Sequence, residues 1–214
     1  MVRLTPEEFV RGNSALMSPP LVPELKLHLA TEVEPIWRKT EEELQQMGVP
    51  PPYWAFAWAG GQALARYILD NPEIVRGKSV LDFGSGSGLV GLAAARAGAG
   101  DVLAADIDKF AIAAIRANAE ANGLTLVTTS DDMIGSDKSF DVILVGDMCY
   151  ERPLAEGLMA WLKTRDAVIL LGDPGRSYFP KHGLTRAALY NVSVTRDLED
   201  REIRETGVWL LNKD

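Results

Sequence analysis

The chain has 214 residues, 47% hydrophobic and 24% charged, which suits one domain with a substantial core and argues against disorder. Against 22 Lys and Arg stand 30 Asp and Glu, a net charge of −8, so general binding to nucleic acid phosphates is disfavoured. A single cysteine, Cys149, excludes an intrachain disulfide, and with only His28 and His182 beside it the spacing of a zinc site is missing.

No run reaches the ~18 consecutive apolar residues of a membrane span. The first residues, Met1 to Glu8, carry acids and no apolar h-region, against a targeting segment. The expectation is a soluble, cytoplasmic monomer that binds neither nucleic acid nor membrane nor metal. Its acidic surface suits a basic partner such as a lysine-bearing protein segment, and solubility alone accounts for it equally well.

Thr5-Pro6-Glu7-Glu8 predicts a helix start: an N-cap, proline in the first turn, then acids. Pro19, Pro20 and Pro23 are expected to stop that helix. Glu24 to Leu29 alternates polar with apolar and predicts a short strand or extended arm, and Pro35 to Met47 a helix ended by Gly48 and three prolines. Pro52-Tyr53-Trp54-Ala55-Phe56-Ala57-Trp58-Ala59-Gly60-Gly61 is the most aromatic stretch. It reads either as a core segment or as a loop beside a ligand, with ring faces for a cation or a purine. Gln62 to Leu69 continues as a helix.

Val80-Leu81-Asp82-Phe83 then enters Gly84-Ser85-Gly86-Ser87-Gly88, and Leu89 to Ala97 is helical in composition. Strand, glycine turn and helix begin a βαβ unit. Further strands are expected at Val102–Ala105, Leu124–Thr129, Phe140–Val145 and Ala167–Leu171, with helices at Lys109–Ala121 and Pro153–Lys163 between them. The end of the chain predicts a helix over Lys181–Leu189 and strands at Val192–Thr195 and Gly207–Leu211. With no long helix between them, that last pair can lie antiparallel at one edge. The fold class is therefore α/β, a doubly wound, mostly parallel seven-stranded sheet in one domain. Residues 1–51 are expected to form an appendage, and 52–214 the core in which any cofactor-binding and catalytic residues would lie.

Gly86-Ser87-Gly88-Leu89-Val90-Gly91 matches a dinucleotide fingerprint literally, with Asp106 at the distance of a ribose-binding acid. Three acids pull the other way. Asp82 precedes the glycines and could meet a cationic amino group, directly or through water. Asp106 closes the second strand and Asp147 the fourth, beside the same crevice. Acids around a glycine turn suit a zwitterion with a positive sulfonium better than a pyrophosphate.

Val80 to Gly88 resembles the first motif of the seven-strand (class I) S-adenosylmethionine-dependent methyltransferases, and Asp106 matches the acid at the end of their second strand. Asp147-Met148-Cys149-Tyr150 is similar to the D-x-x-Y of a protein-lysine methyltransferase branch. Pro20 to Leu29, Ile36-Trp37 and Pro52 to Gly61 resemble the electron transfer flavoprotein β-subunit lysine methyltransferases. The resemblance implies a Rossmann-like methyltransferase fold, S-adenosylmethionine as cofactor with S-adenosylhomocysteine as product, and electron transfer flavoprotein β subunit as protein substrate.

It also implies roles. Gly84, Ser85, Gly86 and Gly88 would line the methionine and ribose of the cofactor, and Trp58 would lie against the methionine. Asp106 would take the ribose hydroxyls, with Ile107 beside it, and Asp131, Asp132 and Met133 would flank the adenine. Asp147 and Tyr150 would face the incoming lysine. Cys149 reads as a small buried neighbour, since no histidine is near it in sequence. A small-molecule N-methyltransferase, a nicotinamide-dependent reductase and a non-catalytic binding module remain as alternatives.

Overall fold

The computed structural model describes residues 4–30, 50–193 and 203–213. The helix expected over Pro35–Met47 lies outside them. Helix α1 (Pro6–Gly12) begins as the sequence predicts, with Thr5 and Glu8 forming a reciprocal capping box. It ends well before the prolines. Asn13 Nδ2 donates to the Phe9 carbonyl and Ser14 Oγ to that of Val10, closing the last turn with side chains instead of further helix. Strand β1 (Ala15–Met17) follows and pairs antiparallel with β2 (Leu27–Leu29).

Tyr53–Ala55 forms a single 3₁₀ turn, and α2 (Ala59–Asp70) starts three residues before the expected Gln62, taking in Gly60 and Gly61. The alternating units come next: β3 (Ser79–Phe83), α3 (Leu89–Arg96), β4 (Asp101–Ala105), α4 (Lys109–Asn122), β5 (Val127–Thr129), β6 (Val142–Gly146), α5 (Arg152–Leu162) and β7 (Val168–Asp173). Gly123 stops α4 in the left-handed conformation.

The segment expected to be helical at Lys181–Leu189 is instead most of β8 (Leu184–Ser193). It pairs antiparallel with β9 (Ile203–Leu211) through nine residue pairs, with a register shift between Arg186 and Ala188. Thr-Arg-Ala-Ala-Leu is locally good helix, but pairing along the whole strand outweighs that preference. The seven-stranded sheet has the order β5-β4-β3-β6-β7-β9-β8. Its first five strands are parallel, and β9 runs antiparallel to both neighbours.

Neighbouring residues on the central strands face opposite sides, so each strand feeds two cores. Val80, Leu144 and Leu170 join Leu64, Ile68 and Leu92 from α2 and α3 on one face. Leu81, Ile143 and Ile169 join Leu158, Trp161 and Leu162 of α5 on the other. Strands covered on both faces read as continuous apolar runs, as Val142–Val145 does. A third cluster seats Trp54 and Phe9 on Phe110 of α4, with the two phenylalanine rings 5.0 Å apart.

Candidate active site

Strand order reverses between β3 and β6, and their carboxyl ends open the crevice in which such sheets hold ligands. The glycine turn lies on that edge. Gly84, Gly86 and Gly88 all have positive φ, 62°, 54° and 82°, which side-chain-bearing residues adopt only under strain. Gly88 caps α3 without a side-chain hydrogen bond. Among the described residues, a Cβ on Gly86 would find nothing nearer than the Tyr53 carbonyl at 4.0 Å, so the turn faces the aromatic loop without being filled by it. That room, beside exposed backbone and acids, fits a cofactor that carries a ribose and an amino acid.

Asp82 is 1% exposed. Its Oδ2 accepts from the Ser85 hydroxyl and from the Gly91 N–H (2.8 Å). Expected to meet an amino group, it is sealed beneath the turn, where it ties the loop to the first turn of α3. Burial pushes its pKa from 3.8 to about 7, against the pull of those two donors. Asp173, also buried, rises to about 7 for the same first cause.

Such a group binds an extra proton in the folded state between its unfolded and folded pKa. The stability it contributes is full below about pH 4 and is lost as pH rises through about 7. Asp82→Asn should therefore flatten the fall in melting temperature of the cofactor-free protein between about pH 5 and pH 8. Parallel curves for wild type and variant would show that Asp82 does not titrate in that window.

Asp106 follows β4 directly. Its Oδ2 accepts from Gly86 N (2.8 Å) and its Oδ1 from Asp108 N (2.9 Å), and burial holds its pKa above the usual carboxylate range. It thus joins the end of the second parallel strand to the glycine turn, with one face half-buried at the crevice. Ile107 beside it is 76% exposed. Asp131 and Asp132 are exposed just past β5, Asp132 capping its own turn through Ile134 N. Met133 is not on the surface at all: it packs into the cluster around Leu81 and Phe83. On the expectation from the sequence resemblance that Asp106 takes a ribose, Asp106→Asn should weaken S-adenosylhomocysteine binding by about 10- to 100-fold, the worth of a charge-assisted hydrogen bond. Calorimetric titration reads this directly, and an unchanged affinity would take Asp106 out of the ribose site.

Asp147 follows β6 with φ 58°, the one positive value among the described residues other than glycine. Strain of this kind persists where surrounding contacts impose it. Its N–H donates to the Gly172 carbonyl (2.9 Å), and its Oδ2 accepts from Gly61 N (3.1 Å) at the start of α2. The approach is close because Gly60 and Gly172 face each other backbone to backbone, and a Cβ on either would overlap the other's carbonyl oxygen.

Tyr150, 41% exposed, lies 5.8 Å from Tyr53, which lies 6.1 Å from Trp58. Trp58 donates its indole N–H to the Tyr53 carbonyl (3.0 Å). The aromatic stretch thus divides: Trp54 is core, while Tyr53 and Trp58 join Tyr150 at the crevice. Cys149 is buried, and its thiol is pushed up to about 12 by burial and then by Asp173 and Asp147. It is no nucleophile at neutral pH.

Two residues of the site escaped the sequence reading. Arg176 places Nε (3.0 Å) and an η nitrogen (2.8 Å) on Oδ1 of Asp147, with its guanidinium 5.6 Å from the Trp58 ring centre. Asp173, at the end of β7, accepts from the Gly175 and Arg176 N–H groups, both at 2.7 Å. The rule that selected Asp147, an acid at a parallel strand's carboxyl end, would have selected Asp173. Nothing local marked Arg176.

The family model described as ribosomal protein L11 methyltransferase (PrmA) matches residues 62–149. Among solved structures, the ribosomal protein L11 methylase of Lactobacillus delbrueckii subsp. bulgaricus superposes with a TM-score of 0.55 at 20% identity, covering 92% of this chain and 100% of that one. Magnesium protoporphyrin IX methyltransferase of Synechocystis PCC 6803, with bound S-adenosylmethionine, gives 0.54 at 18% identity over 72% of this chain and 80% of that one. Both likenesses are of fold. The electron transfer flavoprotein β-subunit lysine methyltransferase of Danio rerio is 39% identical over 217 residues, 96% of this chain and 83% of the relative. With the class I methyltransferase sheet beneath it, that likeness over nearly the whole length means that the chain belongs to the electron transfer flavoprotein β-subunit lysine methyltransferase family.

Proposed function

We propose that this chain, by family an S-adenosylmethionine-dependent protein-lysine methyltransferase, methylates lysine side chains of the electron transfer flavoprotein β subunit. The observation that carries the reading is Asp147, a buried carboxylate held at φ 58° where β6 meets the crevice, with Tyr150 three residues on.

Bound S-adenosylmethionine supplies a methyl group on a positively charged sulfur. Gly84, Ser85, Gly86 and Gly88 would hold its amino-acid and ribose side, with Asp82 shaping the turn from behind. Asp106 would take the ribose hydroxyls, next to Ile107. Asp131 and Asp132 would border the adenine, with Met133 supporting that wall from the core, and Trp58 would cover the methionine. The proposal needs no metal.

The target amine must arrive neutral. At pH 7 roughly one lysine in 2,500 is, a cost of about 4.6 kcal/mol. Asp147 would orient the nitrogen and Tyr150 would flank the lysine stem. An ordinary aspartate is too weak a base to remove the proton alone, so proton loss to water and alignment of the nitrogen carry the step. Residues 52–214 would form the catalytic core of one domain, working as a cytoplasmic monomer with neither nucleic acid nor membrane as partner. No helix among the described residues is long and apolar enough to cross a membrane.

The test is incubation of the protein with labelled S-adenosylmethionine and purified electron transfer flavoprotein, followed by peptide mass spectrometry. Label on lysines of the β subunit is expected. No label on the flavoprotein, with label on small aromatic amines in a parallel incubation, would favour a small-molecule N-methyltransferase, which the Tyr53–Trp58–Tyr150 rim could also serve. Binding of NAD in place of S-adenosylhomocysteine would overturn the cofactor assignment.

A further inference from the structure

Asp147 does not stand open in the crevice. One of its oxygens is met by the Gly61 N–H from α2 and the other by two nitrogens of Arg176 from the loop after β7. That loop is itself shaped. Asp173 Oδ1 gathers the Gly175 and Arg176 N–H groups, Gly175 sits at φ 87°, and the guanidinium lies over Trp58. Asp173 is 3% exposed, and its other oxygen has no hydrogen-bond partner among the described residues. Backbone turn, acid and ring together hold a long, rotamer-rich side chain in one pose, which would otherwise cost about 2 kcal/mol of conformational entropy.

On the reading that Asp147 faces the target lysine, we propose that Arg176 is the positioning residue that fixes the Asp147 carboxylate for amine alignment, and that Asp173 holds Arg176 in place. A carboxylate rotates about its Cβ–Cγ bond. Gly61 restrains one oxygen with a hydrogen bond at 3.1 Å, and a planar guanidinium bearing two donors on the other oxygen restrains the plane. Lysine in place of Arg176 offers a point charge without the fork and restores only part of that restraint.

The test compares wild type, Arg176→Gln, Arg176→Lys, Asp147→Asn and the Asp147→Asn/Arg176→Gln double variant. It measures kcat and KM for electron transfer flavoprotein, S-adenosylhomocysteine affinity and melting temperature. Arg176→Gln is expected to lower kcat by about 100-fold, the loss that attends a misplaced catalytic group. KM for the protein substrate and cofactor affinity should stay within about threefold. Arg176→Lys should recover part of the loss. The double variant should be no slower than the slower single one, because both act on one carboxylate.

A kcat within about threefold of wild type for Arg176→Gln overturns the proposal. So does a loss confined to KM, which would make Arg176 a docking contact, or a gain in turnover, which would make it a cation blocking the amine site. Multiplicative losses in the double variant overturn it too. If wild type labels no electron transfer flavoprotein, the substrate assignment fails instead, and the same series is run on whichever protein wild type labels in a cell extract. Absence of any labelled protein there overturns both.

Discussion

Alanine at position 147 is expected to abolish methyl transfer while S-adenosylhomocysteine still binds within a few-fold of wild type. Three effects converge on that side chain. The carboxylate that would orient the amine disappears, at a loss of at least about 100-fold in kcat. Gly61 N and the Arg176 guanidinium lose the acceptor they share. Alanine is also poorly suited to φ 58°, where aspartate and asparagine are tolerated better, so the backbone of the loop is strained by about 1–2 kcal/mol.

Asp147→Asn separates these effects, since it keeps the shape and the backbone tolerance and removes the charge. It should retain more activity than alanine and melt close to wild type. The cofactor-binding turn is anchored elsewhere, through Asp82 and Asp106. Near-normal turnover of Asp147→Ala with electron transfer flavoprotein would remove Asp147 from the reaction.

Gly172→Ala should be strongly destabilising, as should the matching Gly60→Ala on the other side of the contact. The new Cβ would overlap the Gly60 carbonyl oxygen, a backbone atom that cannot swing aside, and would press on Leu64 Cβ at 2.9 Å. Overpacking of this kind costs about 3 kcal/mol or more when the neighbours are fixed. For a chain of this length that is a fall of roughly 6–12 °C in melting temperature.

Gly12→Ala is the control. Nothing among the described residues lies within 4 Å of a Cβ there, and alanine is the better helix former, so stability should hold or rise slightly. Because the Gly172 carbonyl accepts from Asp147 N, whatever Gly172→Ala protein still folds should also transfer methyl poorly. A variant that melts within 2 °C of wild type, an effect of about 0.5–1 kcal/mol, would show that α2 does not press on the sheet as closely as described.

These two predictions come from different levels of the molecule. Asp147 was legible in the sequence, as an acid ending an apolar run in a chain of alternating strands and helices. The glycine contact was not. Gly60 is 112 positions from Gly172, and neither stands in a turn signal that announces it. The same division explains Arg176, whose value lies in reaching an aspartate 29 residues earlier. Met133 is a like case: the family resemblance implied a place beside the adenine, and only the fold shows that its side chain packs with Leu81 and Phe83.

What the amino-acid order determined by itself was whatever a few neighbouring residues can enforce. Thr5 and Glu8 close their capping box within four residues, Gly123 ends α4, and Gly84, Gly86 and Gly88 permit the turn between a strand and a helix. Apolar runs punctuated by helices required a parallel sheet, because only that arrangement buries both faces of each strand. Tertiary structure decided the rest. It made a strand of Leu184–Ser193 against its local helix preference, because β9 offered a ladder along its whole length. It also sealed Asp82 beneath the turn and clasped Asp147 between Gly61 and Arg176. Those partners are far apart in the chain, and only folding brings their charges and hydrogen bonds within reach.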